Sequence, residues 1–229
     1  MKKLTFPLLL ISVFLFSEAF SYDNIKKDKK TIINSIESQK DRLIEISDNI
    51  WEAAEPALLE FKSSKYLSDY AEENGFRVTR GVAEIPTAFV AEFGSGKPVI
   101  GILGEFDANP GISQKKQPTK EPLVKGAAGH GCGHNLYGTG SLGAAIAIKE
   151  MIESGEISGT VRFYGTPAEE TIFAKVWMVR AGLFDDVDVC MDWHPSDEVE
   201  AATQSSKALV DFRLRFFGDA SHASGDPWN

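Results

Sequence analysis

Cysteine is scarce in this 229-residue chain, which has two, Cys132 and Cys190. Two thiols are too few for a small disulfide-stapled scaffold. Positive charge is also short: 24 Lys and Arg face 33 Asp and Glu, for a formal net charge of −9. That balance argues against a general nucleic-acid binder. Apolar runs of membrane length are missing, the nearest being Leu4 to Phe16, which Pro7 and Ser12 interrupt and which is too short to span a bilayer comfortably. Neither an internal repeat nor a low-complexity linker stands out. Against these deficits, 43% of the residues are hydrophobic, enough for a packed core and too much for wholesale disorder. The length suits one large domain, or one domain and part of a second.

Residues 1–21 have the three-part layout of a secretory signal peptide. Lys2 and Lys3 form a basic start, 4–16 an apolar run, and Ala19-Phe20-Ser21 places small residues at −3 and −1 of a cleavage site before Tyr22. The expectation is an exported protein, periplasmic or secreted, with no membrane attachment once the leader is removed. A metal-bound thiolate is protected from oxidation, so the two cysteines need not pair in that compartment.

The body alternates helical and extended patterns. Ile32, Ile33, Ile36, Leu43, Ile44, Ile46, Ile50 and Trp51 recur at helical spacing over about 28–54, and a second helix is expected over about 60–74, stopped by Gly75. Short apolar runs at 76–79, 88–93, 99–103, 160–164 and 187–193 read as strands, with helices over 138–152 and 171–181. The expected fold class is therefore α/β, with a mixed, largely parallel sheet flanked by helices. Three of the strands run directly into chemistry-bearing residues: 99–103 into Glu105-Phe106-Asp107, 160–164 into Glu169-Glu170, and 187–193 into His194. Ligands in open α/β sheets bind outside the carboxyl ends of the strands, so these exits define a candidate site.

His130-Gly131-Cys132-Gly133-His134-Asn135 supplies a thiolate and an imidazole two residues apart. In an extended segment those side chains face the same way, and the pair suits zinc or a similar transition metal. A glycine-rich loop holding a buried thiol is the plain alternative. Glu169-Glu170 offers one carboxylate for a metal and a neighbour for a metal-bound water, or simply an acidic first helical turn. His194 follows an apolar strand and is more ordinarily a packed or solvent-facing residue. Asp188 and Asp192 read as strand-edge charges, Cys190 as a core thiol, and Asp107 as an acid orienting a ligand histidine. Glu105 receives no role. Cys132, His134, Glu170 and His194 together make a nitrogen, oxygen and sulfur ligand set, with Glu169 as the spare carboxylate. A metal-dependent hydrolase follows. Cys132 acting as a nucleophile with His134 as its base ranks below it, because it leaves the Glu169-Glu170 pair unused.

Gly129–Asn135, Gly165-Thr166-Pro167-Ala168-Glu169-Glu170, Trp193-His194-Pro195 and Ser221-His222-Ala223 occur in that order. Ordered in this way, they resemble the amidohydrolase branch of the aminoacylase and carboxypeptidase-G-like metallopeptidases, from about Ile32 to the end of the chain. The resemblance implies a zinc-peptidase-like catalytic domain holding two divalent metal ions, zinc or manganese. It implies Cys132, His134, Glu170 and His194 as their ligands, Glu169 as general acid/base, and Asp107 as a structural acid beneath the site. His222 would lie in a lid or dimerisation domain and reach toward the substrate. The implied substrate is a small amide joining an acyl or aryl-acyl group to an amino acid, such as p-aminobenzoyl-glutamate. The implied assembly is a homodimer or a heteromer with a companion A-type subunit. On this reading 22–205 form an incomplete catalytic domain and 206–229 only the start of the lid. Family members continue further and return a late metal-binding histidine, whereas no histidine follows His222. The alternative is therefore an inactive truncated remnant or a non-catalytic binding protein of the same family.

Overall fold

The computed structural model describes residues 25–201 together with positions 210, 212, 214, 215, 217, 222 and 224. The expected signal peptide, 1–21, lies outside the described residues. The chain divides into a unit ending at Pro195 and a second unit beginning at Ser196. Of the second unit, Val210, Phe212, Leu214 and Phe217 are exposed, and His222 Nδ1 accepts a hydrogen bond from the Ser224 amide at 3.2 Å.

The first unit opens with two helices, α1 over 25–38 and α2 over Lys40–Ala53, separated by a turn at Gln39. Leu43, Ile46, Ser47 and Ile50 form the buried stripe of α2, the three- and four-residue spacing that makes one helix face apolar. Helix α3 spans Phe61–Glu73. Strand β1 (Arg77–Arg80), a short 3₁₀ turn (Val82–Glu84), β2 (Phe89–Ser95) and β3 (Val99–Gly104) follow. The long helix α4 covers His134–Glu153, β4 Gly159–Gly165, α5 Glu169–Ile172, α6 Ala174–Arg180 and β5 Val189–Met191.

The five strands lie in the order β1-β2-β4-β3-β5. β1 pairs antiparallel with β2 and β2 antiparallel with β4, whereas β3 is parallel to both β4 and β5. The sheet is therefore mixed, and its parallel part is the β4-β3-β5 half that leads into the site. One core cluster joins Leu43, Ile46, Ile50, Leu67, Leu142 and Ile146 from the helices to Phe89, Ile102, Val161 and Phe163 from the sheet. A second, smaller cluster sets Tyr164, Ala168, Ala174 and Met178 together with Ile85 and Ala88. Helices thus cover the sheet from two sides, which leaves the strand ends as the open route to polar chemistry.

Several local expectations change, beginning with the single helix expected over 28–54, which the turn at Gln39 divides into α1 and α2. The helix expected over 171–181 is broken, because Phe173 adopts φ 55° and separates α5 from α6. The helix expected from residue 138 begins at His134, one turn earlier, behind Gly133 at φ 75°. Cys190 is exposed rather than in the core: β5 is the edge strand, three residues long, and every one of its residues is exposed. Val176, Trp177, Val179, Val189, Met191 and Trp193 are also exposed. Among the described residues no helix is long and apolar enough to cross a membrane.

Candidate metal centre

Three parallel neighbouring strands end on the same side of the sheet, and the segments leaving them converge. Beyond β3, the side chains of Glu105 and Asp107 meet His134 and that of Phe106, fully buried, joins the core. His134 Nδ1 lies 2.9 Å from Asp107 Oδ1 and 3.1 Å from the Asp107 carbonyl oxygen. Both are acceptors, so the Nδ1 nitrogen carries the hydrogen and Nε2 is the ring atom left for a ligand. His134 Nε2 comes within 2.9 Å of Glu105 Oε2 and 3.8 Å of Glu170 Oε1. The Lys175 ammonium on α6 pairs with the other oxygen of Glu105.

Asp107 has a second task. Its Oδ2 accepts a hydrogen bond from the Glu170 amide at 2.9 Å. One buried carboxylate therefore orients the His134 ring and fixes the backbone of the turn that carries Glu169 and Glu170. Glu170 Oε1, His134 Nε2 and Glu105 Oε2 are buried without a hydrogen-bond partner, because with the ring hydrogen on Nδ1 the 2.9 Å approach of Nε2 to Glu105 sets two acceptors against each other. Buried polar atoms are almost always satisfied, so three such atoms facing one space fit a bound cation. Cys132, His134 and Glu170 place one ligand atom each within 4.8 Å of one another, and Glu105, His134 and His194 form an overlapping triad on the same criterion. Thiolate, imidazole and carboxylate are the donor types that zinc takes. The residues present fit a metal site.

Cys132 and His134 converge for a different reason from the one their spacing suggests. Gly133 turns through the left-handed region, where a side chain is strained, and His134 is already the first residue of α4. Asn109 anchors the loop: its Oδ1 accepts from the Gly131 amide at 3.0 Å and the Cys132 amide at 3.3 Å, and its Nδ2 approaches Cys132 Sγ at 3.6 Å. His130 lies outside both triads. Its Nε2 donates to the Ile50 carbonyl at 3.1 Å, tying the loop to the end of α2. Burial pushes its pKa down to about 4.

His194 is exposed, and its Nδ1 donates to the Pro195 carbonyl at 2.9 Å, which leaves the Nε2 lone pair free. Its ring stands edge-on to His134 at 5.6 Å and to Tyr137 at 6.0 Å. Buried Tyr137 steadies this segment by donating to Asp192 and by packing against Trp193 at 5.7 Å. Asp188 instead accepts from the Val99 amide at 2.8 Å and Lys97 at 2.6 Å, a strand-edge role. Glu169 is half-buried, and no hydrogen bond or ion pair engages its carboxylate among the described residues. Burial, followed by repulsion from Glu105, holds its pKa above the ordinary carboxylate value. Hydrogen bonding to Glu170, then burial, raises the Cys132 thiol, the opposite of what an activated cysteine nucleophile needs.

The structure thus brings Asp107, Cys132, His134, Glu169, Glu170 and His194 to one strand edge. His222 belongs to the second unit. Glu105, Asn109, Tyr137 and Lys175 are the neighbours that sequence reasoning left without a role. Only Glu105, two residues before Asp107 on a strand exit, carried a readable signal.

The sequence profile of peptidase family M20/M25/M40 matches residues 101–216, a span that runs from β3 through Cys132, Glu170 and His194. The chain belongs to this family. It is 46% identical over 199 residues to the B-type subunit of p-aminobenzoyl-glutamate hydrolase from Escherichia coli, covering 86% of this chain and 41% of that protein. It is 31% identical over 212 residues to the mouse Xaa-Arg dipeptidase, covering 87% and 45%. Among solved structures, the YxeP protein of Bacillus subtilis, a dinuclear metal-binding peptidase of the M20 family, superposes with a TM-score of 0.58 at 28% identity, over 67% of this chain and 42% of its own. The chain therefore spans less than half the length of the relatives it matches.

Proposed function

We propose that this chain carries the metal-binding half of a metal-dependent amidohydrolase that cleaves an N-acyl or N-aryl-acyl amino acid amide, with p-aminobenzoyl-glutamate as the first substrate to test. The observation that carries this reading is that three of the four buried side-chain atoms without hydrogen-bond partners among the described residues, His134 Nε2, Glu105 Oε2 and Glu170 Oε1, meet beside Cys132 and His194 at one strand edge. The substrate choice is supported by the 46% identity to a protein named for that hydrolysis. Cys132, His134, Glu170 and His194 would hold two divalent ions, zinc or manganese, with Glu105 joining them. Such ions lower the pKa of a bound water and polarise a carbonyl oxygen.

The chain's own residues then divide the remaining work. Asp107 fixes the tautomer of His134 and the Glu170 turn. Glu169, whose carboxylate is free, takes the proton from the attacking water and passes it to the leaving amine. His222, in the second unit, would meet the substrate oxyanion or carboxylate. The Escherichia coli relative is one subunit of its hydrolase, which supports a heteromer with an A-type companion. The leader composition of 1–21 supports export.

The test is metal uptake together with turnover. The purified chain should bind zinc or manganese, and the full-length enzyme containing it should release p-aminobenzoate from p-aminobenzoyl-glutamate. Glu169→Gln should retain metal content while losing at least about a hundredfold in rate, the scale of a general acid/base. A folded wild-type chain that takes up no divalent ion overturns the proposal. Equal loss of metal and rate in Glu169→Gln moves Glu169 into the ligand shell.

A further inference from the structure

Glu60 stands at the amino-terminal cap position of α3, yet it caps nothing. The capping is done by Glu55, whose two carboxylate oxygens accept from the Lys62 amide at 3.1 Å and the Ser63 amide at 2.9 Å. The Glu60 side chain goes elsewhere. It is fully buried, with Oε1 accepting from the Ala168 amide at 2.9 Å and Oε2 accepting from the Thr87 hydroxyl at 3.0 Å. Burying a carboxylate is costly unless it is hydrogen-bonded, and a helix start that already has its cap gains nothing local from a second buried acid.

The residue it reaches is unusual. Ala168 is fully buried and adopts φ 57° and ψ 36°, a left-handed conformation that costs a non-glycine residue about 1–2 kcal/mol. Such strain persists only where the surroundings over-determine it. Ala168 immediately precedes Glu169 and Glu170. Its amide would have no partner without Glu60, a residue 108 positions away. Two positions on, the Glu170 amide is taken by Asp107. The turn is thus gripped at two alternate amides by two buried carboxylates from distant parts of the chain.

We infer that Glu60 is a positioning residue for the metal centre, holding Ala168 in its left-handed turn so that Glu170 faces His134 and Glu169 stands free beside them. The inference rests on the reading of this site as a metal centre. What the turn needs from Glu60 is an acceptor for the Ala168 amide and a contact to Thr87. Glutamine offers both, through its carbonyl oxygen and its amide group, without a charge. Alanine offers neither. Aspartate keeps the charge, but one methylene less leaves it unable to span both partners.

The test uses the full chain, titrated with Co²⁺ as a spectroscopic substitute for zinc, with amide hydrogen exchange across 166–172 as a metal-independent readout. Glu60→Gln should bind Co²⁺ within about twofold of wild type with an unchanged thiolate-to-cobalt band. Glu60→Ala should weaken binding by about tenfold or more, as loss of a residue supporting a ligand does, shift the band, and speed exchange across the turn. If Glu60→Ala does not fold, Glu60→Asp takes its place with the same expectation. Wild-type affinity, spectrum and exchange in folded Glu60→Ala or Glu60→Asp would overturn the inference, as would a Glu60→Gln variant as impaired as alanine. If wild type itself takes up no cobalt, the metal-centre reading fails, and exchange alone decides whether Glu60 holds the turn.

Discussion

Replacing Asp107 with asparagine tests the centre at its most connected point. The carboxylate accepts from His134 Nδ1 at 2.9 Å through one oxygen and from the Glu170 amide at 2.9 Å through the other. Asparagine has one acceptor oxygen and one donor amide group. Oriented to keep the His134 bond, it leaves the Glu170 amide facing a donor; turned the other way, it sets its own amide group against the His134 N–H, which then keeps only the residue-107 carbonyl at 3.1 Å, at a position with almost no solvent access. Leaving such a buried donor unsatisfied costs about 1–3 kcal/mol. Outer partners of metal ligands affect metal affinity by about 10–100-fold, and here one substitution disturbs the supports of two candidate ligands at once. The expected result is a folded protein whose zinc affinity falls into the upper part of that range, measured by competition with a chromophoric chelator, while the metal-free melting temperature drops by several degrees. Zinc affinity within twofold of wild type in folded Asp107→Asn would refute the reasoning, showing that Asp107 supports the fold alone.

Three further outcomes follow from the same geometry. A β-carbon at Gly138 would meet the Glu105 carbonyl oxygen at 2.5 Å, so Gly138→Ala should push α4 off β3, cost about 1–3 kcal/mol in urea unfolding and weaken metal binding by separating His134 from Glu105; unchanged stability would contradict that contact. Cys132→Ala should lower metal content by elemental analysis, and bound zinc should protect the wild-type Cys132 thiol from iodoacetamide; alkylation of Cys132 at the same rate with and without zinc would remove it from the ligand set. Burial raises Glu60 from 4.5 to about 7, so between those values the folded state keeps a proton that the unfolded chain releases. Stability therefore falls as pH rises through that window, by up to about 3 kcal/mol above it. In chelator, Glu60→Gln should match wild type near pH 4.5 and exceed it in melting temperature at pH 8, and a difference independent of pH would show that the carboxyl does not titrate across that interval.

The elements were legible where periodicity decided them. The stripe of Leu43, Ile46 and Ile50 lies on α2, the second of two helices into which a turn at Gln39 divides the helix expected over 28–54, and the apolar runs at 99–103 and 160–164 became β3 and β4 with shifts of one residue at their ends. Illegible features were those set by tertiary contact. Nothing in Thr171–Ala181 announces that Phe173 will take a left-handed turn and split the helix. The apolar run around Cys190 predicts burial, but such a run is buried only where both strand faces are covered, and β5 is an exposed edge. Glu60 falls at the start of the helix expected over 60–74, and that Glu55 takes over its cap is visible only in three dimensions. Glu105 had the right spacing to Asp107, yet its place depends on His134 and Lys175 arriving from α4 and α6.

The charge arrangement explains why these particular residues suit a cation. Glu105 and Glu170 both face His134 Nε2, Asp107 lies on the other side of the same ring, and Glu169 stands beside them. Lys175 answers only one oxygen of Glu105. Like charges about 4 Å apart repel by about 4 kcal/mol at the effective dielectric of a protein surface, so acids gathered at this density need a cation to offset them. A rigid backbone alone does not supply that compensation, but it decides where the compensation can sit. Asp107 and Glu60 each give one oxygen to an amide of the Ala168–Glu170 turn and the other to His134 or Thr87, and are therefore unavailable to an ion. Glu105 and Glu170 each keep one oxygen without a hydrogen bond. The division of carboxylates into those that hold backbone and those left open follows from which amides lie within reach, and it is this division that turns an acidic strand edge into a site with defined ligand positions.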